Sequence, residues 1–134
     1  MRPLSAEGRE AVLRLASQIA GRQVKPRAIW QSGKLRARQT GEAFRDACNP
    51  AAEFRTQAGL QPEDGPERIE GSLQTEEGEL MIVGHMPHLR RLLTRLLGTS
   101  EREWFPMNGA VALERVGGRW RELWRVSPAD PHQP

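Results

Sequence analysis

The stretch "LMIVGHMPHLRRLL", residues 80–93, joins a short apolar run to a segment with helical spacing. A buried strand is predicted over Leu80 to Val83, because this run is too short and too apolar to show alternating polar and apolar side chains. A proline at position 87 suits the first turn of a helix. Leucines at 89, 92, 93 and 96 then follow the spacing of one helix face. The strand therefore ends at Gly84-His85 and delivers an imidazole to the point where a helix begins.

A second junction of this kind lies in "WQSGKLRARQT", residues 30–40. A short strand closes at Ser32-Gly33, and Arg36 and Arg38 fall in the helix that follows. In open α/β sheets, ligands bind beyond the carboxyl ends of strands, beside helix N-termini that suit a phosphate. An arginine from one junction and a histidine from the other therefore predict an anion site. The alternative is a solvated arginine and a structural histidine.

The rest of the chain alternates strands with helices, which predicts an α/β layered sheet. A glycine pair, Gly117-Gly118, indicates a C-terminal hairpin. In its second strand Trp120, Glu122, Trp124 and Val126 are expected to share one face. The predicted helices cover 4–20, 35–48, 66–73 and 87–97, and the predicted strands cover 26–32, 52–56, 80–83, 109–116 and 119–126. We expect one domain over residues 1–127 and a disordered tail over 128–134.

Composition excludes several classes of function. The 134 residues carry a net charge of +3, and 28% are charged. The arginines alternate with glutamates and form no basic block with aromatics, so no nucleic-acid partner is predicted. No apolar run approaches the roughly 20 residues of a membrane span. The first residues show no apolar h-region, and the single cysteine, Cys48, permits no internal disulfide, so we expect a cytoplasmic protein. Nothing in the sequence specifies an oligomeric state.

Metal binding is considered for His85 and His88, which are three residues apart. The other candidate ligands are Cys48 and His132, and a zinc site needs three or four ligands with a supporting shell. The sequence therefore predicts no metal and no cofactor. His88 is instead expected in the first turn of a helix, at the rim of the pocket.

Taken together, four stretches resemble the histidine phosphatase superfamily, the phosphoglycerate-mutase-like proteins, and especially its small SixA-type phosphohistidine phosphatases. The stretches are "RPLSAEGRE", "IWQSGKLRARQTGEAF", "LMIVGHMPHLRRLLTRLLG" and the hairpin ending "WRVSP". The Ser-x-x-x-Arg-Ala-x-Gln-Thr and Gly-His-x-Pro patterns carry most of the specificity. The resemblance implies a three-layer α/β/α sheet and phosphoryl hydrolysis through a phosphohistidine. The implied substrate is a phosphorylated protein histidine or a small phosphoester.

The resemblance also implies roles for individual residues. Arg36 matches the phosphate-binding arginine of the second motif, and His85 matches the second histidine of the pocket. Both would bind phosphate and take part in catalysis. Ser32 and Gly33 match the junction that positions the arginine and would complete the phosphate-binding set. No role carries over to Arg38.

One motif of this family is absent from the sequence. The nucleophilic histidine belongs to an Arg-His-Gly motif that closes the first strand, and these 134 residues contain no such motif. We therefore expect the sheet to lack its first, central strand, which lies between the strand ending at His85 and the hairpin.

Two explanations of the absent motif are open. Met1 is an internal methionine with the true start roughly 25 to 30 residues upstream, or the chain is a shortened paralogue. We favour the first and expect the chain as given to be inactive. The alternative functions are a non-catalytic phosphate- or phosphoprotein-binding module and a fragment from a misplaced start codon.

Overall fold

The computed structural model describes residues 3–99, 105–106 and 108–127. Its elements agree with the predicted ones to within a few residues. The helices are α1 (Ala6–Gly21), α2 (Leu35–Cys48), α3 (Glu67–Leu73) and α4 (His88–Leu97); the strands are β1 (Ala28–Gln31), β2 (Glu53–Thr56), β3 (Leu80–Val83), β4 (Ala110–Val116) and β5 (Arg119–Val126). The predicted tail, residues 128–134, lies outside the described residues.

The first three strands form a parallel sheet in the order β2-β1-β3. The central strand, β1, is buried along all four of its residues. Within it, Ile29 pairs in register with Phe54 of β2 and Met81 of β3. Because all three strands run in one direction, their carboxyl ends meet at one edge of the sheet.

Two hydrophobic clusters cover the two faces of this sheet. Side chains from α1 and α2 pack on the face that contains Ile29, and side chains from α3 and α4 pack on the face that contains Trp30. The first cluster has the buried residues Leu15, Ala16, Ile19, Ile29, Phe44, Ala52 and Val126; the second has Trp30, Leu60, Ile69, Leu73 and Leu92. The predicted three-layer α/β architecture with a C-terminal hairpin is thus confirmed.

Local signals in the sequence set the ends of several elements. The Ser5 side chain caps α1 by accepting a hydrogen bond from the Gly8 N–H at 3.0 Å. Gly98 ends α4 with a φ of 68°, a left-handed conformation that costs glycine little. Gly117 and Gly118 both have positive φ, as a tight two-residue turn between antiparallel strands requires.

The hairpin corrects one prediction. Its register shifts between Ala112 and Leu113, so that Trp124 and Glu122 face consecutive residues of β4 and Leu123 is the extra residue. This bulge reverses the alternation of β5. Trp120 therefore packs against the second cluster, whereas Trp124 packs against the first. The prediction that the tryptophans share one face is wrong.

The most apolar strand, β3, is half-buried along its length, so the prediction of a buried strand is also wrong. Among the described residues it pairs with β1 alone. The hairpin contributes to the same two clusters as β3 but forms a separate two-stranded sheet. One edge of β3 therefore has no strand from the described part of the chain to cover it.

Gly41 offers a direct test of the packing between α2 and β2. A Cβ on Gly41 would lie 2.8 Å from Cε1 of Phe54, whereas a Cβ on Gly71 of α3 meets no heavy atom within 4 Å. We expect Gly41→Ala to lower the free energy of unfolding by about 1–3 kcal/mol through overpacking. Urea denaturation measures this change.

Gly71→Ala is the matched control, because it makes the same change inside a helix with open space around it. It should raise the free energy of unfolding by up to about 1 kcal/mol. Equal effects of the two substitutions would contradict the close packing at Gly41.

Candidate functional site

The two strand-to-helix junctions meet at the edge where β1 and β3 end. Gln31 and Val83, the last residues of these strands, are register partners. Just beyond them, the Ser32 hydroxyl and Nε2 of His85 are 2.5 Å apart, within hydrogen-bond distance. Ser32 is only 5% exposed, and His85 is half-buried. A hydroxyl and an imidazole are therefore held together at the end of the sheet.

The Gln31 side chain fixes the turn that leads into α2. Its Nε2 donates to Oγ1 of Thr56 at 2.9 Å, and its Oε1 accepts from the Gly33 N–H at 2.6 Å. Gly33 has a φ of 95°, and a Cβ there would lie 3.0 Å from Cγ2 of Thr56. The backbone conformation therefore favours a glycine at this position, and a Cβ would also press closely on the Thr56 side chain.

A neighbouring loop adds a further support to the same turn. Gln61 donates from Nε2 to the Ser32 carbonyl oxygen at 2.9 Å. Gln61 therefore holds the backbone of Ser32, and the Ser32 hydroxyl stays within hydrogen-bond distance of His85.

Positive charge gathers around His85. Burial lowers the pKa of His85 below its ordinary value of 6.5, and Lys34, Arg36 and His88 lower it further. Lys34 is the N-cap of α2 but provides no side-chain capping bond. The exposed Arg36 guanidinium makes no ion pair with a described carboxylate. With a helix N-terminus beside these cations, the edge suits an anion.

The residues singled out from the sequence take different places in the structure. Ser32 and His85 are in contact, Gly33 forms the turn between β1 and α2, and Arg36 lies in the first turn of α2, where it acts electrostatically on His85. Arg38 is exposed one turn into α2.

His88 corrects the prediction that it lies at the pocket rim, because it is fully buried. As the first residue of α4, it shares a face with the buried Leu92 four positions later, and this face packs into the core.

Sequence reasoning missed Lys34, Gln31 and Gln61. The position of Lys34 was a usable signal, since it lies between the Gly33 turn and the first residue of α2. The roles of the two glutamines depend on contacts with Thr56 and Ser32 that no local pattern reports.

Other candidate chemistry is limited within residues 3–99, 105–106 and 108–127. These residues contain no group of three or more histidine, cysteine, aspartate or glutamate side chains able to hold a metal ion. Burial raises the pKa of the Cys48 thiol, which does not favour a reactive thiolate. None of the described helices is both long and apolar enough to cross a bilayer. The cytoplasmic location stays a prediction.

Comparison with solved structures identifies the fold. The chain superimposes on the protein histidine phosphatase SixA complexed with tungstate with a TM-score of 0.87 and 22% identity, over 96% of this chain and 86% of that chain. A protein from Agrobacterium tumefaciens described as a phosphohistidine phosphatase SixA gives 0.80 and 26%, over 95% and 84%. Phosphoglycerate mutase from Plasmodium falciparum gives 0.58 and 21%, over 70% and 64%.

No family model matches the sequence, and no curated protein matches it significantly. The structural neighbours nevertheless agree with one another. The chain has the SixA-type fold of the histidine phosphatase superfamily, and the resemblance seen in the sequence is confirmed at the level of fold.

The charges around His85 give a prediction for its titration. Replacing Lys34 or Arg36 by glutamine should raise the pKa of His85 towards 6.5, because each substitution removes a cation that opposes the imidazolium. Burial remains and should keep the pKa below 6.5 in both variants. The Cε1–H chemical shift of His85, followed by NMR against pH, measures the change.

Arg38→Gln is the control for net charge. It makes the same charge change on an exposed side chain of α2, and it should leave the His85 titration unchanged. If all three variants shift the titration equally, the net charge of the protein, and not the proximity of Lys34 and Arg36, determines the pKa of His85.

Proposed function

We propose that this protein binds a phosphoryl group at the edge formed by Ser32, Gly33, Arg36 and His85, as a phosphohistidine-phosphatase-like protein. The substrate class is a phosphorylated protein histidine or a small phosphoester. The observation that carries the proposal is the 2.5 Å contact between Ser32 and His85. This contact brings together the two strand-to-helix junctions, after β1 and after β3. Either junction alone would be weak evidence for a phosphoryl site.

The charges at this edge support the proposal. A phosphoryl group in transfer spreads negative charge over three equatorial oxygens, and its stabilisation is mainly electrostatic. The Arg36 guanidinium is a planar fork that can donate to two of these oxygens. Lys34 adds a second cation nearby, and the lowered pKa of His85 leaves its ring neutral at pH 7, with a single N–H to donate.

The structural neighbours give independent support. The SixA structure with a TM-score of 0.87 is a complex with tungstate, a tetrahedral oxyanion with the shape and charge of phosphate. Since the chain has the same fold and gathers cations at the carboxyl edge of its sheet, an oxyanion is the ligand class that we propose for it.

Tungstate binding tests the anion site. Arg36→Ala should weaken tungstate binding by roughly tenfold or more, since a hydrogen bond to a charged group is worth about 1.5–3 kcal/mol. Isothermal titration calorimetry measures the affinity. Arg38→Ala is the matched control and should bind as the unaltered protein does. Equal affinity of the Arg36 variant would remove the basis of the proposed site.

Catalysis is a separate part of the proposal, because the sequence has no Arg-His-Gly motif. Among its three histidines, His85 is engaged by Ser32, His88 is fully buried, and His132 lies outside the described residues. We propose that the attacking histidine is contributed by a further strand, inserted between β3 and the hairpin.

The uncovered edge of β3 supports this location. Leu80, Ile82 and Trp120 pack against the buried residues of the second cluster, and Met81, Val83 and Trp124 pack against those of the first. An added strand would therefore be covered on both faces and would need apolar residues throughout. Parallel to β3, it would end beside His85.

The turnover of an aryl phosphate tests this part. The 134-residue chain should hydrolyse p-nitrophenyl phosphate at or near the background rate. Genomic sequence upstream of the Met1 codon should encode, in frame, an apolar strand that ends in Arg-His-Gly or Arg-His-Ala. A chain extended by that strand should gain activity, and substitution of its histidine by alanine should abolish it.

Two results would contradict this assignment. If the 134-residue chain turned over the ester and His85→Ala abolished the activity, the nucleophile would lie within these residues. If the extended chain bound tungstate in an Arg36-dependent manner without turnover, the protein would be a phosphate-binding module. The absence of the Arg-His-Gly motif is the observation that favours this second function.

A further inference from the structure

The two ring nitrogens of His85 have different surroundings. Nε2 lies 2.5 Å from the Ser32 hydroxyl, whereas Nδ1 has no partner among the described residues. In contrast to both ring nitrogens of His88, Nδ1 of His85 is not a buried, unpartnered atom, so a ligand can reach it. A neutral imidazole carries its one proton on either nitrogen. The position of that proton therefore decides whether Nδ1 donates or accepts at the proposed site.

The hydrogen bonds of the Ser32 hydroxyl indicate where the proton lies. Its oxygen accepts from the Lys34 N–H at 3.3 Å, and its other contact within the described part of the chain is with Nε2 of His85. If Nε2 carried the proton, the oxygen would accept twice, and the hydroxyl proton would have no acceptor in a residue that is 5% exposed. Such a buried donor is costly. With the ring proton on Nδ1, the hydroxyl donates to Nε2 and both groups are satisfied.

The backbone around Ser32 is held by other side chains. The Ser32 carbonyl oxygen accepts from Nε2 of Gln61 at 2.9 Å, and the Gly33 N–H donates to Oε1 of Gln31 at 2.6 Å. These bonds do not involve the Ser32 hydroxyl. The hydroxyl is therefore presented to His85 from a turn that is fixed independently, and its removal should leave that turn in place.

We infer that Ser32 is a positioning residue: its hydroxyl donates to Nε2 of His85 and keeps the ring proton on Nδ1, which becomes a donor for a bound oxyanion. The use of this donor rests on the proposed function, but the tautomer is a property of the protein without ligand. The buried hydroxyl would act through His85 and touch no reacting atom. With the proton on Nε2, the ring would present a lone pair to the anion instead of an N–H.

Nitrogen-15 NMR of the unliganded protein tests the inference without any substitution. At about pH 8 the ring of His85 is neutral, because its pKa lies below 6.5. The nitrogen chemical shifts separate a protonated ring nitrogen from a bare one, and the couplings to the ring carbon-bound protons assign them. We expect a protonated Nδ1 and a bare Nε2. Free neutral histidine favours the opposite tautomer, so a proton mainly on Nε2 would overturn the inference.

Substitutions of Ser32 test whether its hydroxyl sets the tautomer. Ser32→Ala should raise the fraction of His85 with its proton on Nε2 by about fivefold or more, since one hydrogen bond shifts an equilibrium by roughly this factor. Ser32→Thr keeps a hydroxyl and should retain the proton on Nδ1. Ser72→Ala is the matched control: it removes a hydroxyl that donates to the Arg68 carbonyl within α3, and it should leave His85 unchanged. A proton that stays on Nδ1 in Ser32→Ala would contradict the positioning role.

Tungstate binding separates this inference from the proposed function. If both are right, Ser32→Ala should bind tungstate about fivefold more weakly at about pH 8, and Ser32→Thr should bind it as the unaltered protein does. A Ser32-dependent proton on Nδ1, in a protein that binds no tungstate, would support the positioning role while the proposed function failed. Arg36-dependent binding of tungstate, in a protein with the His85 proton on Nε2, would support the proposed function and overturn the positioning role.

Discussion

Burial of β1 on both faces is the constraint from which the rest of this structure follows. Its residues Ile29 and Trp30 point to opposite faces and are each almost completely buried. A strand of this kind needs helices on both sides and parallel neighbours joined by crossovers. Parallel neighbours bring their carboxyl ends to one edge, and for that reason Ser32 and His85, 53 positions apart in the sequence, come into contact.

Neutral hydrogen bonds hold this edge in place, and cations give it its electrostatic character. Gln31 ties the turn after β1 to β2, and Gln61 ties it to the loop before α3. Lys34 and Arg36 then face an edge whose backbone is already fixed. Such an arrangement suits a ligand that is bound through charge and geometry, because the donors need little reorganisation when it arrives.

Much of the fold could be predicted from local patterns. The bounds of α2, β3 and β5 follow from helical spacing, an apolar run and the turn at Gly117-Gly118. The faces of the hairpin could not be predicted, because the bulge at Leu123 changes the alternation of Trp120 and Trp124 without a distinctive residue pattern.

Prediction of the site was limited in a similar way. The residues that end strands, Ser32 and His85, are visible as motifs at two junctions. The residues that hold them, Gln31 and Gln61, act through long-range contacts that only the tertiary structure reports. The burial of His88 depends on which face of α4 packs into the core, so its position in the sequence alone suggested the rim of the pocket.

The bulged hairpin has a consequence for the order in which the chain folds. Because β5 supplies Trp120 to one cluster and Val126 to the other, neither side of the sheet is sealed until almost the last described residue is available. During synthesis, when the N-terminal part of a chain emerges first, the sheet and its helices would remain loosely packed on the ribosome. Both halves of the core can therefore consolidate only once β5 has been synthesised.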